Sequence, residues 1–130
     1  MSRADQPLDA AGFADRVAVS RETLERLATY ATLLTRWQER INLVGPQTLP
    51  DLWRRHLLDS AQLAPLLPAG ARRLVDLGSG AGFPGLVLAI LGAPDVHLVE
   101  SDTRKCAFLR EVARVTATPV TILTRRIEQV

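Results

Sequence analysis

The sequence predicts an α/β chain in which a helical segment precedes a short parallel sheet. Three observations carry that expectation. Between residue 20 and the proline-rich stretch at Pro65 and Pro68, apolar residues recur at helical spacing. After Pro68-Ala-Gly70 the period changes, and strand, helix, strand, helix, strand follow in order. The first of those strands runs straight into a glycine-rich turn that opens a helix. Residues 1–69 are therefore read as a helical segment and 70–130 as an α/β segment.

The N-terminal stretch begins polar and becomes weakly helical, with Phe13 and Val17 on one side. Ser20 suits a helix N-cap, and Glu22 follows where the helix dipole favours negative charge. Leu24, Leu27, Ala28, Ala31, Leu34, Gln38 and Ile41 then mark one face of a helix from about Arg21 to Arg40. Thr48 is expected to cap a second helix from Leu49 to Leu58, with Pro50 and Asp51 in its first turn. Leu74 to Leu77 reads as the first strand, Gly85 to Leu91 as a helix closed by Gly92, and Val96 to Glu100 as the second strand. Ser101 or Asp102 caps a helix over Thr103 to Val115, and Val120 to Leu123 is the third strand. A doubly wound nucleotide-binding sheet has about six strands with the first near its middle. Three strands leave the first as an open edge, so further strands are expected beyond Val130.

Composition excludes several function classes. The hydrophobic fraction is 47% and the charged fraction 23%, values ordinary for a globular chain, so disorder is not expected. A net charge of +2 does not by itself point to nucleic acid. Cys106 is the single cysteine, which rules out an intrachain disulfide and paired-cysteine metal ligation. Two histidines, His56 and His97, make no metal site. The N-terminus carries Asp5, Asp9 and Asp15 without a long apolar core and is not expected to be a secretion signal. The run Leu86 to Leu91 is too short to cross a membrane, which takes roughly 20 residues. A cytoplasmic location is expected.

The segment Asp76-Leu-Gly78-Ser-Gly80-Ala-Gly82-Phe-Pro-Gly85 carries the chemistry. Its glycines allow sharp turns and close approach of a ligand to the backbone. Glu100, at the end of the next strand, stands where a carboxylate accepts hydrogen bonds from ribose hydroxyls. Gly80, Gly82 and Gly85 also satisfy the dinucleotide spacing G-x-G-x-x-G. Asp76 separates the readings: a carboxylate before the first glycine repels a pyrophosphate but suits the ammonium group of a methionine moiety. S-adenosylmethionine is therefore favoured, while a nicotinamide or flavin cofactor and a purely structural glycine turn stay open.

Several motifs together resemble the small-subunit ribosomal RNA methyltransferase G family, also called glucose-inhibited division protein B. Val75 to Gly85 looks like its first cofactor motif. Trp37 with Ile41-Asn42-Leu43-Val44 looks like its helix-ending W…NL segment. Arg55-His56-Leu57-Leu58-Asp59-Ser60 resembles its R-H-x-x-D-S signature. Arg104-Lys105 with Phe108-Leu109 resembles its K-R-x-x-F-L helix with the basic pair reversed, and Arg126-Ile127-Glu128 resembles its R-x-E segment. The likeness runs from about residue 20 to 130. It implies a class I S-adenosylmethionine-dependent methyltransferase with a Rossmann-like fold and an N-terminal helical extension. It further implies methyl transfer to N7 of one guanine in 16S ribosomal RNA, with the RNA or the 30S subunit as partner and a monomeric full-length protein. On the same resemblance the cofactor touches Gly78, Phe83, Ile127 and Glu128, and Glu100 matches the ribose-binding acid. One further cofactor-contacting arginine of the family falls beyond Val130.

Guanine N7 carries a free lone pair, so no catalytic acid–base pair is expected. A module that binds cofactor without transfer is the alternative from a different class, and a nicotinamide-binding domain is a weaker one. Blander roles are weighed against each functional one. Asp76 can cap the glycine turn, and Glu100 can be a surface carboxylate. His56 and Asp59, three apart on a helix, are expected to pair with each other. His97 is expected to pack within its strand, and Cys106 to be a small core residue. The pairs Arg54-Arg55, Arg72-Arg73 and Arg125-Arg126 can meet phosphate or remain solvated surface.

Overall fold

A computed structural model describes residues 6–130; Asp5 lies outside the described residues. Helix α1 (Ala10–Arg16) starts at Asp9, whose carboxylate accepts the Gly12 amide, and buries Phe13 completely. Helix α2 (Arg21–Gln38) is capped as expected, the Ser20 hydroxyl accepting the Thr23 amide. Its apolar stripe buries Leu27, Tyr30, Ala31 and Leu34. The helix ends two residues before the expected Arg40 because Gln38 turns back on the chain. Its side-chain Oε1 accepts the Leu43 and Val44 backbone amides and its Nε2 donates to the Val44 carbonyl.

The next stretch departs from expectation. Pro46–Asp51 is 3-10 helix and Trp53–Leu58 is π-helix, which continues into a last α-turn, α3 (Asp59–Ala61). Thr48 does not cap a helix: its hydroxyl donates to the Gly45 carbonyl and meets His56 Nε2 at 2.7 Å. Asp51 is taken by the Leu8 amide and the Arg54 guanidinium. Ala64–Leu66 forms one further 3-10 turn between the prolines.

Strand β1 (Leu74–Leu77), helix α4 (Gly85–Ile90), strand β2 (Val96–Glu100) and helix α5 (Thr103–Val115) follow, with Asp102 capping α5. Strand β3 (Thr121–Thr124) starts one residue later than expected. The sheet is parallel in the order β1-β2-β3. Asp76 lies opposite Leu98, and Glu100 opposite Thr124. The sheet is incomplete: β1 is an edge, and Val75 and Leu77 on it are about half exposed. This is a Rossmann-like arrangement of the kind expected, with α2 packed across α4 and α5 as an additional layer.

The two segments share one core. A continuous cluster of buried side chains runs from Leu8 and Phe13 through Leu27, Tyr30 and Leu34 to Leu86, Leu98, Phe108 and Val112. Trp37 meets Phe108 edge-on at 5.5 Å, joining α2 to α5. The boundary near residue 69 therefore marks a change of secondary structure within one hydrophobic unit. No helix among the described residues is long and apolar enough to cross a membrane.

Candidate cofactor site

The site forms where β1 and β2 end. The Gly78 and Ser79 amides both donate to the Val99 carbonyl, at 2.8 and 3.0 Å, which turns the chain sharply out of β1. Gly78 and Gly80 adopt φ of +78° and +55°, the left-handed region that glycine occupies without strain. The four glycines of the loop then divide by role. A Cβ at Gly80 would meet nothing within 4 Å, and one at Gly78 would meet only Ile127 Cδ1, at 3.8 Å. A Cβ at Gly82 would strike the Tyr30 hydroxyl, Leu86 and Leu109, and one at Gly85 would strike Leu98 and Asp76. Gly78 and Gly80 thus leave an open cradle, while Gly82 and Gly85 let helices and sheet close up behind it. Gly82, expected beside a cofactor, sits on the packed side of its own loop.

Two carboxylates hold the loop. Glu100 is 9% exposed, which removes the surface reading of that residue. Its Oε1 accepts the Gly80 amide and its Oε2 the Asp102 amide, each at 2.8 Å. Each oxygen retains a lone pair for a further donor such as a ribose hydroxyl. Asp76 Oδ2 accepts the Gly85 amide at 3.0 Å, the turn-capping role set beside its functional one. Burial pushes the Asp76 carboxyl above its ordinary range, and the Glu100 charge adds to this, against the Gly85 amide. A cation placed beside Asp76 relieves that cost.

Phe83 stacks on Tyr30 at 5.3 Å and on His56 at 4.9 Å, with interplanar angles of 12° and 19°. Its ring is thus engaged by protein rings at the rear of the loop. Ile127 is about half exposed and reaches toward Gly78, while Glu128 lies exposed with Arg126 at 3.8 Å. Gly78, Gly80, Glu100 and Ile127 therefore gather at the C-terminal edge of the sheet, where nucleotides bind in open α/β folds. Gly82 and Phe83 support them from beneath, the half-buried Asp76 carboxylate bridges from β1 to the Gly85 amide, and Glu128 stands at the margin.

Sequence reasoning missed Tyr30. It is fully buried, and its hydroxyl donates to the Ala81 carbonyl inside the loop. Its place on the α2 stripe, between Leu27 and Leu34, was the available signal. The expected pairing of His56 with Asp59 does not form: His56 turns to Thr48 and Phe83, and no ion pair with Asp59 occurs among the described residues. His97 pairs with Asp95 at 3.0 Å, which Arg73 also holds at 2.7 Å. Cys106 is fully buried, with its thiol on the Glu100 carbonyl. Arg54, Arg73 and Arg126 each reach a carboxylate.

Residues 23–130 match the family described as rRNA small subunit methyltransferase G. A curated relative of that name from Paramagnetospirillum magneticum is 80% identical over 112 residues, 86% of this chain and 55% of the relative. The Rhodospirillum centenum protein of the same name is 65% identical, covering 92% of this chain and 56% of its own length. The one from Parvibaculum lavamentivorans is 58% identical over 98% of this chain and 58% of its own length. The chain spans somewhat over half the length of these relatives.

Proposed function

The chain belongs to the rRNA small subunit methyltransferase G family, and from that premise we propose that the protein transfers a methyl group from S-adenosylmethionine to N7 of a guanine in small-subunit ribosomal RNA. One observation carries the cofactor half of the reading. The Gly85 amide at the start of α4, the position a dinucleotide pyrophosphate would seek, is already held by the Asp76 carboxylate. A half-buried carboxylate there disfavours a phosphate and favours an ammonium group. The uncrowded backbone at Gly78 and Gly80 beside Glu100 supports placing the ribose there.

In this reading Glu100 holds the ribose hydroxyls, Asp76 the amino group, and the Gly78–Gly80 backbone lines the approach. Ile127 covers the exposed side near Gly78, and Glu128 contributes from the margin. When bound, S-adenosylmethionine supplies an electrophilic methyl group. The chain supplies orientation and exclusion of water, because guanine N7 needs no proton removed before it attacks. No general base is therefore assigned. The partner is 16S rRNA or the 30S subunit, met in the cytoplasm by a monomeric protein.

The test supplies the full-length protein with methyl-tritiated S-adenosylmethionine, 30S subunits and free 16S rRNA from cells lacking the activity. The expected result is one label, at a guanine N7, detected by borohydride and aniline strand cleavage. Label on another atom, or none on either substrate, contradicts the proposal.

A further inference from the structure

The rear of the glycine loop is fastened by the helical segment at two points that flank Gly82. Tyr30 of α2 bonds the Ala81 carbonyl, and its ring stacks on Phe83. His56 stacks on Phe83 as well. His56 is itself anchored. Thr48 donates its single hydroxyl hydrogen to the Gly45 carbonyl at 2.7 Å. At the 2.7 Å contact with His56 Nε2, the Thr48 oxygen is therefore the acceptor, and His56 carries hydrogen on Nε2. Burial lowers the His56 pKa and the Arg55 charge adds to this, against Asp59, which favours the neutral ring. The ring projects from the π-helical stretch Trp53–Leu58, a geometry frequent at functional sites. Neither cofactor binding nor methyl transfer as proposed above uses this histidine.

We infer that His56 is a positioning residue for the cofactor loop, acting through Phe83 to keep the Gly78–Gly82 turn in its open shape. The inference rests on the cofactor reading proposed above. Its reasoning is geometric. Phe83 follows Gly82 directly, so a shift of its ring moves the turn that Gly78 and Gly80 present to the ligand. A glycine turn with three left-handed residues, Gly78, Gly80 and Gly82, has many other conformations within reach. The stack selects one before the ligand arrives, and preorganisation of that kind appears as affinity.

The test uses the full-length protein. Affinity for S-adenosylhomocysteine is measured by calorimetry, with KM for cofactor and for RNA measured separately. His56→Ala is expected to weaken S-adenosylhomocysteine binding about tenfold, the scale of one aromatic pair. His56→Phe keeps the stack but loses the Thr48 contact, and is expected to lose about threefold. Thr48→Val removes the anchor and is expected to lose about threefold. KM for RNA stays unchanged in all three. Unchanged S-adenosylhomocysteine affinity in His56→Ala, or a loss that Phe does not reduce, overturns the inference. So does a raised KM for RNA at unchanged cofactor affinity, which assigns His56 to the RNA. Should His56→Ala fail to fold, the other two variants decide: Thr48→Val binding like wild type overturns the inference. Wild-type protein that binds no S-adenosylhomocysteine defeats the cofactor reading itself and the inference with it.

Discussion

Replacing Tyr30 with Phe isolates a single tie between the helical segment and the glycine loop. The ring stays, so its burial and its stacking on Phe83 are retained. What disappears is the hydroxyl that serves the Ala81 carbonyl, a group 51 residues away and itself on a residue only 4% exposed. No other donor reaches that carbonyl among the described residues. A buried acceptor left without a partner costs about 1–3 kcal/mol. For a chain of this size about 2 kcal/mol corresponds to a fall of about 8 °C in the thermal midpoint. Urea unfolding of both proteins measures the difference directly. A loss below about 0.5 kcal/mol refutes the reasoning, because it means the carbonyl finds water or the strap carries no load. A pH series adds a second check. Burial raises the Tyr30 phenol well above its ordinary 10.0, and the Asp76 charge adds to this. The folded state therefore keeps a proton that the unfolded state loses. The resulting stability is fully present below about pH 10 and declines as the pH climbs toward the folded value. The Phe variant lacks that part of the alkaline decline.

The other glycine and carboxylate predictions follow from the same geometry. Gly82→Ala places a methyl against Tyr30, Leu86 and Leu109 at φ +101° and is expected to lose about 2–4 kcal/mol by urea unfolding. Gly80→Ala meets nothing within 4 Å, so it is expected to cost only about 1–2 kcal/mol of left-handed strain. Its larger effect is expected on S-adenosylhomocysteine affinity, about tenfold, read by calorimetry. Burial raises the Asp76 carboxyl above its ordinary range, and a ligand ammonium favours its ionised form. As the pH is lowered toward the range in which the free protein's Asp76 titrates, binding should release a proton, seen as a heat that varies with the buffer, and Asp76→Asn should abolish the release.

Much of the α/β half was legible because its signals are local. Short apolar runs, a glycine turn and an Asp cap placed β1, α4, β2 and α5 to within a residue. The stretch from Pro46 to Leu67 was less legible. Pro50, Pro65 and Pro68 interrupt any helix, and the type of each short turn is set by tertiary partners that spacing does not reveal. Thr48 illustrates this: a hydroxyl two residues before a proline suggests a cap, but His56 claims it from eight residues away. The site showed the same division. Asp76, Gly78, Gly80 and Glu100 announce themselves within one βαβ unit. The supports, Tyr30 and His56, lie on other elements, and only the folded chain brings them to Ala81 and Phe83. Spacing likewise could not tell that Gly82 faces Tyr30 while Gly80 faces open space.

The central claim is that the glycine turn and Glu100 form a pocket for S-adenosylmethionine. It is tested most directly by titrating the protein with S-adenosylhomocysteine in a calorimeter, with NAD as the parallel ligand and Glu100→Gln beside the wild type. The Gln side chain can serve only one of the two amides that Glu100 holds. The account predicts binding of S-adenosylhomocysteine alone, weakened at least about tenfold in the variant. Binding of NAD, or S-adenosylhomocysteine affinity indifferent to Glu100, contradicts it.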